Sequence, residues 1–92
     1  MSKIEALKEY MYNQGAIKQD LKPYMLDGSE SYFIDYGAIY VIVTINKDAI
    51  EIKVGKGDKA IIYTESLDLF SHMVVDIAYW YHYIVDDLRA KL

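Results

Sequence analysis

The C-terminal segment, residues 66–92, constrains the fold more than any other part of the chain. It contains no glycine or proline, and its apolar side chains recur every three or four positions at Leu67, Phe70, Val74, Ile77, Tyr81, Ile84, Leu88 and Leu92. On an α-helix these positions share one face, so the spacing predicts one continuous helix that lies on a core. Thr64 or Ser66 is the candidate N-cap, and a helix of about 25 residues would be about 37 Å long.

A second row of apolar side chains lies beside this stripe and comprises Leu69, Met73, Trp80 and Tyr83, with Tyr79 further round the helix. A surface helix normally carries a single apolar stripe about 100° wide, so the second row predicts a protein interface. Trp and Tyr are also the residue types that dominate binding hot spots. Packing of the helix against its two-fold copy is the simplest way to bury the row, which predicts a homodimer. The competing interpretation is that the N-terminal helix covers the row within the same chain.

The N-terminal segment carries a signal for the start of a helix. Ser2 and the glutamate three residues later have the spacing of a capping box, so a helix is expected over residues 3–13. Residues 16–22 could form a further helical turn, which Pro23 would close because the residue before a proline avoids the helical region.

The middle of the chain has the composition of a β-sheet. β-branched and aromatic residues, separated by polar or glycine-containing turns, predict strands over residues 31–36, 38–45, 49–54 and 59–64. Because the connections are short, neighbouring strands are expected to be antiparallel. The predicted fold class is therefore α+β, a single domain over residues 1–92. It has an N-terminal helix, a three- to four-stranded antiparallel meander and a long C-terminal helix packed on one face of the sheet.

The other face of this predicted sheet is a candidate contact surface. It would carry Tyr40, Ile42 and Thr44 from the central strand, with Ala60 and Ile62 from the last strand if the register matches. Charged side chains dilute its apolar character, but a half-apolar open face can still bind a partner. Together with acidic groups on the C-terminal helix, the predicted interface residues are Leu69, Met73, Tyr79, Trp80, Tyr83, Tyr40, Ile42, Asp76, Asp86 and Asp87.

Charge and cysteine content narrow the classes of function. The net charge is −4, and the stretches 23–46 and 60–88 contain acidic residues but no lysine or arginine. No basic face is recognisable, so nucleic acid is not expected as a direct ligand. The absence of cysteine excludes disulfides and thiolate metal sites and favours a reducing compartment, so a cytoplasmic location is expected. Neither a signal peptide nor a membrane-spanning run is recognisable, and no membrane partner is expected.

The residues that could carry chemistry are few. His72 and His82 are the only histidines, and each has an aspartate four residues later, Asp76 and Asp86. The two histidines would lie about 15 Å apart along a helix, so they cannot share a metal ion within one chain. Solvated ion pairs are the simpler interpretation. The loop over residues 55–59 lacks the Walker spacing and joins two strands. We therefore expect no catalytic residue, no metal and no cofactor.

The layout of the whole chain resembles that of several small phage-encoded inhibitors, including some anti-CRISPR proteins. It combines a helix over residues 2–13, a meander over residues 31–64 and a helix from Ser66 in an acidic chain with 10 tyrosines. The resemblance implies a non-enzymatic protein-binding module that occludes a nucleic-acid-processing protein through an acidic, tyrosine-rich surface. The alternative is a small-ligand-binding or enzymatic domain with a tyrosine-lined pocket between the sheet and the C-terminal helix.

Overall fold

The first helix begins where the capping signal predicts. In a computed structural model, which describes residues 2–19 and 28–92, the Ser2 hydroxyl accepts a hydrogen bond from the Glu5 amide at 3.1 Å. This bond satisfies one of the amide groups that the start of a helix leaves without a partner. The helix ends before Gly15, whose positive φ of 90° is a conformation that glycine adopts without strain.

The strands form one antiparallel sheet in which each strand pairs with its neighbour in sequence. In chain order, the elements of the described residues are α1 (Lys3–Asn13), β1 (Ile17–Gln19), β2 (Glu30–Asp35), β3 (Tyr40–Ile45), β4 (Ala49–Lys56), β5 (Lys59–Ser66), α2 (Leu67–His72) and α3 (Ile77–Ala90). The α+β class is therefore confirmed, with an N-terminal helix, an antiparallel meander and a C-terminal helix packed against the sheet. Within the described residues, the sheet has five strands instead of three or four.

The additional strand, β1, lies where the sequence indicates a further helical turn. Ile17 pairs with Phe33 and Gln19 pairs with Ser31, so residues 17–19 extend the sheet at its edge. The helical prediction is wrong for these residues, because ladder hydrogen bonds to β2 outweigh a weak local preference for helix. The rest of the predicted turn, residues 20–22, and the proline after it lie outside the described residues.

The C-terminal segment is not one continuous helix, so this prediction is wrong. α2 ends at His72, and Met73 adopts an extended conformation with a ψ of 144°. α3 begins directly after Asp76, whose side chain accepts hydrogen bonds from two amides of the first turn at 3.1 and 3.3 Å. The β-branched pair Val74 and Val75 propagates a helix poorly, and the carboxylate of Asp76 stabilises a new helix start instead.

The three helices cover the same face of the sheet. Alternate residues of the strands point toward them, and the side chains of helices and strands form one core. The strands contribute the buried residues Tyr32, Ile34, Val41, Val43, Ile45, Ile50, Ile52 and Val54. The helices contribute the buried residues Leu7, Met11, Phe70, Trp80, Tyr81, Ile84, Val85 and Leu88.

Most of the predicted core is confirmed, and one residue is not. The sequence predicts a core of Val41, Val43, Ile50, Ile52, Phe70, Val74, Ile77 and Tyr81. Six of these residues are buried in the structure: Val41, Val43, Ile50, Ile52, Phe70 and Tyr81. Ile77 is half-buried against the core, whereas Val74 is 100% exposed. The apolar spacing predicts Val74 on the inward stripe of a continuous helix, but this residue lies in the connection between α2 and α3.

A network of charged and hydroxyl groups holds α1 against β2. Lys8 Nζ lies 3.1 Å from Glu30 Oε1, and the Tyr32 hydroxyl donates a hydrogen bond to the other oxygen of Glu30. The hydrogen bond from Tyr32, together with Lys8 and Lys18, lowers the pKa of Glu30, although burial opposes this shift. The folded chain therefore favours the ionised carboxylate.

Two substitutions test the break between α2 and α3. Ile84→Ala should lower the free energy of unfolding by about 2–5 kcal/mol, because Ile84 is buried and its truncation leaves a cavity. Val74→Ala should change it by less than about 0.5 kcal/mol, because this side chain is fully exposed. Urea denaturation followed by circular dichroism measures both values. Large losses for both variants would contradict the break and favour the continuous helix.

The Glu30 carboxylate should make the free energy of unfolding depend on pH. Its folded pKa lies below the ordinary value of 4.5, so its contribution is present above that pH and is lost as the pH falls through the folded pKa. Glu30→Gln should therefore reduce stability at neutral pH and flatten the pH profile of stability below 4.5. Urea denaturation at a series of pH values measures the effect, and Glu51→Gln, on the other sheet face, is the control. Identical profiles for the wild type and Glu30→Gln would overturn this assignment.

Candidate protein-interaction site

Two tyrosines project from α3 and stack on each other. Tyr79 and Tyr83 are 66% and 65% exposed, and their ring centroids lie 6.2 Å apart with the planes inclined by 20°. Residues four positions apart on a helix are neighbours on its surface, so both rings lie on the same side of α3. The Asp76 cap fixes the start of this helix through a hydrogen bond from the Tyr79 amide. The pair forms an exposed aromatic surface on a rigid element.

The two rings share a surface depression with the polar side chains of His82 and Asp86. A shallow, open depression of about 410 Å³ is lined by five residues of α3, here called the α3 face: Ala78, Tyr79, His82, Tyr83 and Asp86. The buried residues of the helix explain why this face points outward. Trp80, Tyr81 and Ile84 lie on the side of α3 that contacts the core. The residues on the opposite side of the helix therefore face solvent.

The remaining predicted interface residues of the C-terminal segment are dispersed. Trp80 is only 6% exposed and its ring centroid lies 4.9 Å from that of Phe70, so it belongs to the core of its own chain. Leu69 is exposed on α2, and Met73 is half-buried against the core. Asp87 is exposed and pairs at 3.1 Å with the lysine four residues later. The predicted apolar row is therefore not one continuous exposed surface.

His82 connects the α3 face to α1. Its Nε2 shares a hydrogen bond with the Tyr10 hydroxyl, and the Tyr10 ring meets the Tyr81 ring edge-on, with 5.7 Å between centroids. Tyr81 is fully buried, and its hydroxyl lies 2.9 Å from that of Tyr36. Burial raises the pKa of Tyr81 and also that of Tyr10, so both hydroxyls remain neutral at physiological pH. The network therefore positions α3 and does not activate either tyrosine as a nucleophile.

His72 does not form the predicted pair with Asp76. Its Nδ1 lies 2.8 Å from the Asp68 carbonyl oxygen and 3.6 Å from the carboxylate of the same residue. Asp76 instead caps α3, because the helix that would have placed it beside His72 is interrupted. In the part of the chain that the structure describes, no group of three His, Asp or Glu side chains could hold a metal ion.

The sheet face opposite the helices, here called the open face, carries the residues predicted for it. Tyr40, Ile42 and Thr44 of β3 share this face with Ala60 and Ile62 of β5, as the strand register shows. At its centre, Lys53 lies between Ile42 and Ile62, and Glu51 lies between Thr44 and Thr64. It is a mixed apolar and charged surface.

Two further apolar residues of the open face were missed by sequence reasoning. Phe33 pairs with Ile42 and stacks on Tyr40, with 6.0 Å between ring centroids. Ile17 pairs with Phe33 and is 67% exposed. The alternation along β2 could have identified Phe33, since its neighbours Tyr32 and Ile34 point to the core. Nothing in the sequence marks β1 as a strand, so Ile17 could not have been found.

Gly55 lies beneath the Tyr40 ring on this face. A Cβ atom at position 55 would lie 2.0 Å from Tyr40 Cζ, so the ring can cover the strand only where the side chain is absent. The aromatic ring in turn protects the backbone of the glycine, which is buried although it has no side chain.

A double-mutant cycle tests this contact. Gly55→Ala should lower the free energy of unfolding of the wild-type chain because the new Cβ displaces the Tyr40 ring. The same substitution should lower it by less in the Tyr40→Ala variant, where no ring is displaced. The coupling energy should be about 0.5–3 kcal/mol, as for other residues in contact. Urea denaturation of the wild type, both single variants and the double variant provides the value. Additive effects would show that the ring does not lie over the glycine.

Three large aromatic side chains lie between the helices and the sheet. Tyr32, Phe70 and Tyr81 are fully buried there. The depression at the α3 face and two others, beside α1 and beside the β3–β4 turn, are open to the surface. No observation on the described residues therefore favours the tyrosine-lined ligand pocket between sheet and helix.

None of the helices within residues 2–19 and 28–92 has both the length and the apolarity that crossing a membrane requires. No family model, curated protein or solved structure matches the chain.

Proposed function

We propose that this chain is a non-enzymatic protein-binding module that binds another protein through the α3 face. The observation that carries the proposal is the stacked, exposed pair Tyr79 and Tyr83. Tyrosine offers a large contact area with only two side-chain torsions, so it binds at low entropic cost and is enriched at interfaces. The helix and the stacking contact hold both rings in place before a partner arrives, which reduces that cost further.

Acidic groups beside the two rings indicate a basic surface on the partner. Asp86 belongs to the α3 face, and Asp76 lies one turn before Tyr79. An arginine side chain can stack on a tyrosine ring and pair with a neighbouring carboxylate at the same time. Grooves that bind the phosphates of nucleic acids are rich in arginine and lysine, so they have the complementary chemistry.

The narrower form of the proposal is an inhibitor of the phage-encoded, anti-CRISPR type. In this form the partner is a nucleic-acid-processing protein, and the module occludes its basic groove. The acidic and tyrosine-rich character of the α3 face supports this form, as does the resemblance of the chain in layout to such inhibitors. A cytoplasmic location, predicted from the sequence, belongs to the same proposal.

Capture of a partner by wild-type and variant protein tests the α3 face. The double variant Tyr79→Ala/Tyr83→Ala should lose at least about 2 kcal/mol of binding free energy, as hot-spot truncations do, and should stay folded because both side chains are exposed. The partner is identified by mass spectrometry after capture from a lysate of the native host, and its affinity is measured by calorimetry. Tyr12→Ala, at a 50% exposed tyrosine of α1, is the matched control and should bind normally.

Salt and nucleic acid distinguish the two forms of the proposal. Rising salt should weaken binding if the partner surface is basic, and added nucleic acid should compete with the module for that surface. Equal capture by the wild type and the double variant would contradict the role of the α3 face. Binding that neither salt nor nucleic acid affects would contradict the inhibitory mechanism alone.

A further inference from the structure

The outer edge of β5 presents a row of backbone groups. Among the described residues, β5 pairs only with β4. The amide of Leu67, directly after β5, donates a hydrogen bond to the Asp48 carbonyl at 2.9 Å, in the same register as the strand pair. The amide and carbonyl groups of successive strand residues point alternately toward the two neighbouring strand positions. Those of Ala60, Ile62 and Thr64 therefore point away from β4.

This edge lacks the features that protect the opposite edge of the sheet. β1 has three residues, and one of them is Lys18. β5 has eight residues, contains no proline, and carries no charge over residues 60–64. Ile62, in the middle of that stretch, is 53% exposed. Long, apolar edges are normally shortened, charged or covered in monomeric proteins because they pair with other strands, so β5 is suited to a pairing contact.

We propose that β5 pairs with β5 of a second copy of this chain, so that one antiparallel sheet runs through a two-fold symmetric homodimer. With the two-fold axis at Ile62, the outward groups of each Ile62 bond to those of its copy, and Ala60 bonds to Thr64 of the partner subunit. This arrangement forms about six hydrogen bonds between the chains. It also buries the exposed Ile62 side chain against its counterpart. The dimer is independent of the proposed function, because it uses another surface and another partner.

Opposite charges favour this register of the two strands. They also favour a second copy of the chain as the partner of β5. Lys59 then lies opposite Glu65 of the partner subunit, and the same pair recurs on the other side of the axis. Both pairs are at non-hydrogen-bonded positions, where cross-strand side chains are closest. A shift of the register by two residues in one direction would place Lys59 opposite Tyr63 of the partner subunit. A shift by two residues in the other direction would place Glu65 opposite Ile61 of the partner subunit. Neither shifted register pairs the charges.

A charge swap tests the register directly. The wild type should have the mass of a dimer by light scattering over a range of protein concentrations. Lys59→Glu places four carboxylates at the interface and should reduce the mass by half, whereas the double variant Lys59→Glu/Glu65→Lys restores opposite pairs and should be a dimer again. A monomeric wild type, a dimeric Lys59→Glu variant or a monomeric double variant would each overturn the proposal.

The Glu65 carboxylate also accepts a hydrogen bond from Tyr63 at 2.8 Å within its own chain, and the charge swap changes this contact as well. A second pair of variants therefore tests the interface without changing Glu65. Ile62→Lys places two lysines on the two-fold axis and should yield a folded monomer, because the side chain is exposed in the single chain. Ile17→Lys is the matched control: an exposed isoleucine on the same face at the opposite edge, which should leave the dimer intact. Circular dichroism confirms that each variant is folded. A dimeric Ile62→Lys variant would contradict pairing through β5.

Amide hydrogen exchange locates the contact within β5. The amides of Ala60, Ile62 and Thr64 should exchange slowly in the wild type and rapidly in Ile62→Lys. The amides of Ile61 and Tyr63 point to β4 and should be protected in both proteins, so they serve as the internal reference. Rapid exchange of the outward amides in a dimeric wild type would place the dimer contact elsewhere. Tyr79→Ala/Tyr83→Ala should keep the dimer mass, so failure of one proposal is distinguishable from failure of the other.

Discussion

The burial of one sheet face beneath three short helices is the interaction on which the rest of the structure depends. Strand residues with a period of two and residues from α1, α2 and α3 meet in one core, with Tyr32, Phe70 and Tyr81 fully buried at its centre. A single layer of helices covers only one side of a sheet. Within the described residues, the open face, the outer edge of β5 and the outward side of α3 are consequently surfaces that can contact other molecules.

Elements governed by local signals could be predicted from the sequence. The Ser2 cap predicts α1, and the apolar–polar alternation predicts β4. The predicted ends of both elements lie within two residues of the observed ends. The break at Asp76 could not be predicted, because apolar spacing continues across it and fits a single stripe. A capping hydrogen bond contributes only about 0.5–2 kcal/mol, which is enough to interrupt a helix at two β-branched residues but leaves no trace in the periodicity. β1 is also not predictable, since its three residues are ordered by pairing with β2 and not by their own pattern.

The rotation of α3 about its own axis decides which part of the candidate site could be predicted. Tyr79 and Tyr83 are exposed, as expected for an interface, but Trp80 is buried beside them. The sequence divides the apolar side chains of this segment into two rows, one for the core and one for a partner. In the structure, α3 lies on the sheet along the boundary between these rows, so Trp80 from one row and Tyr81 from the other are both buried. Periodicity gives the spacing of a helix face but not its rotation about the axis, which tertiary packing determines.

The contact between α1 and α3 joins the two ends of the chain. Tyr10 and His82, which share a hydrogen bond, are 72 positions apart, whereas each strand pairs with the next one in sequence. The hairpins from β2 to β5 form by closing short loops. The α1–α3 contact closes a loop that includes the whole sheet, and the entropic cost of closure rises with loop length. We therefore expect the meander to be ordered early in folding and the α1–α3 contact to form late. The α3 face would then reach its final orientation only when the terminal helices meet.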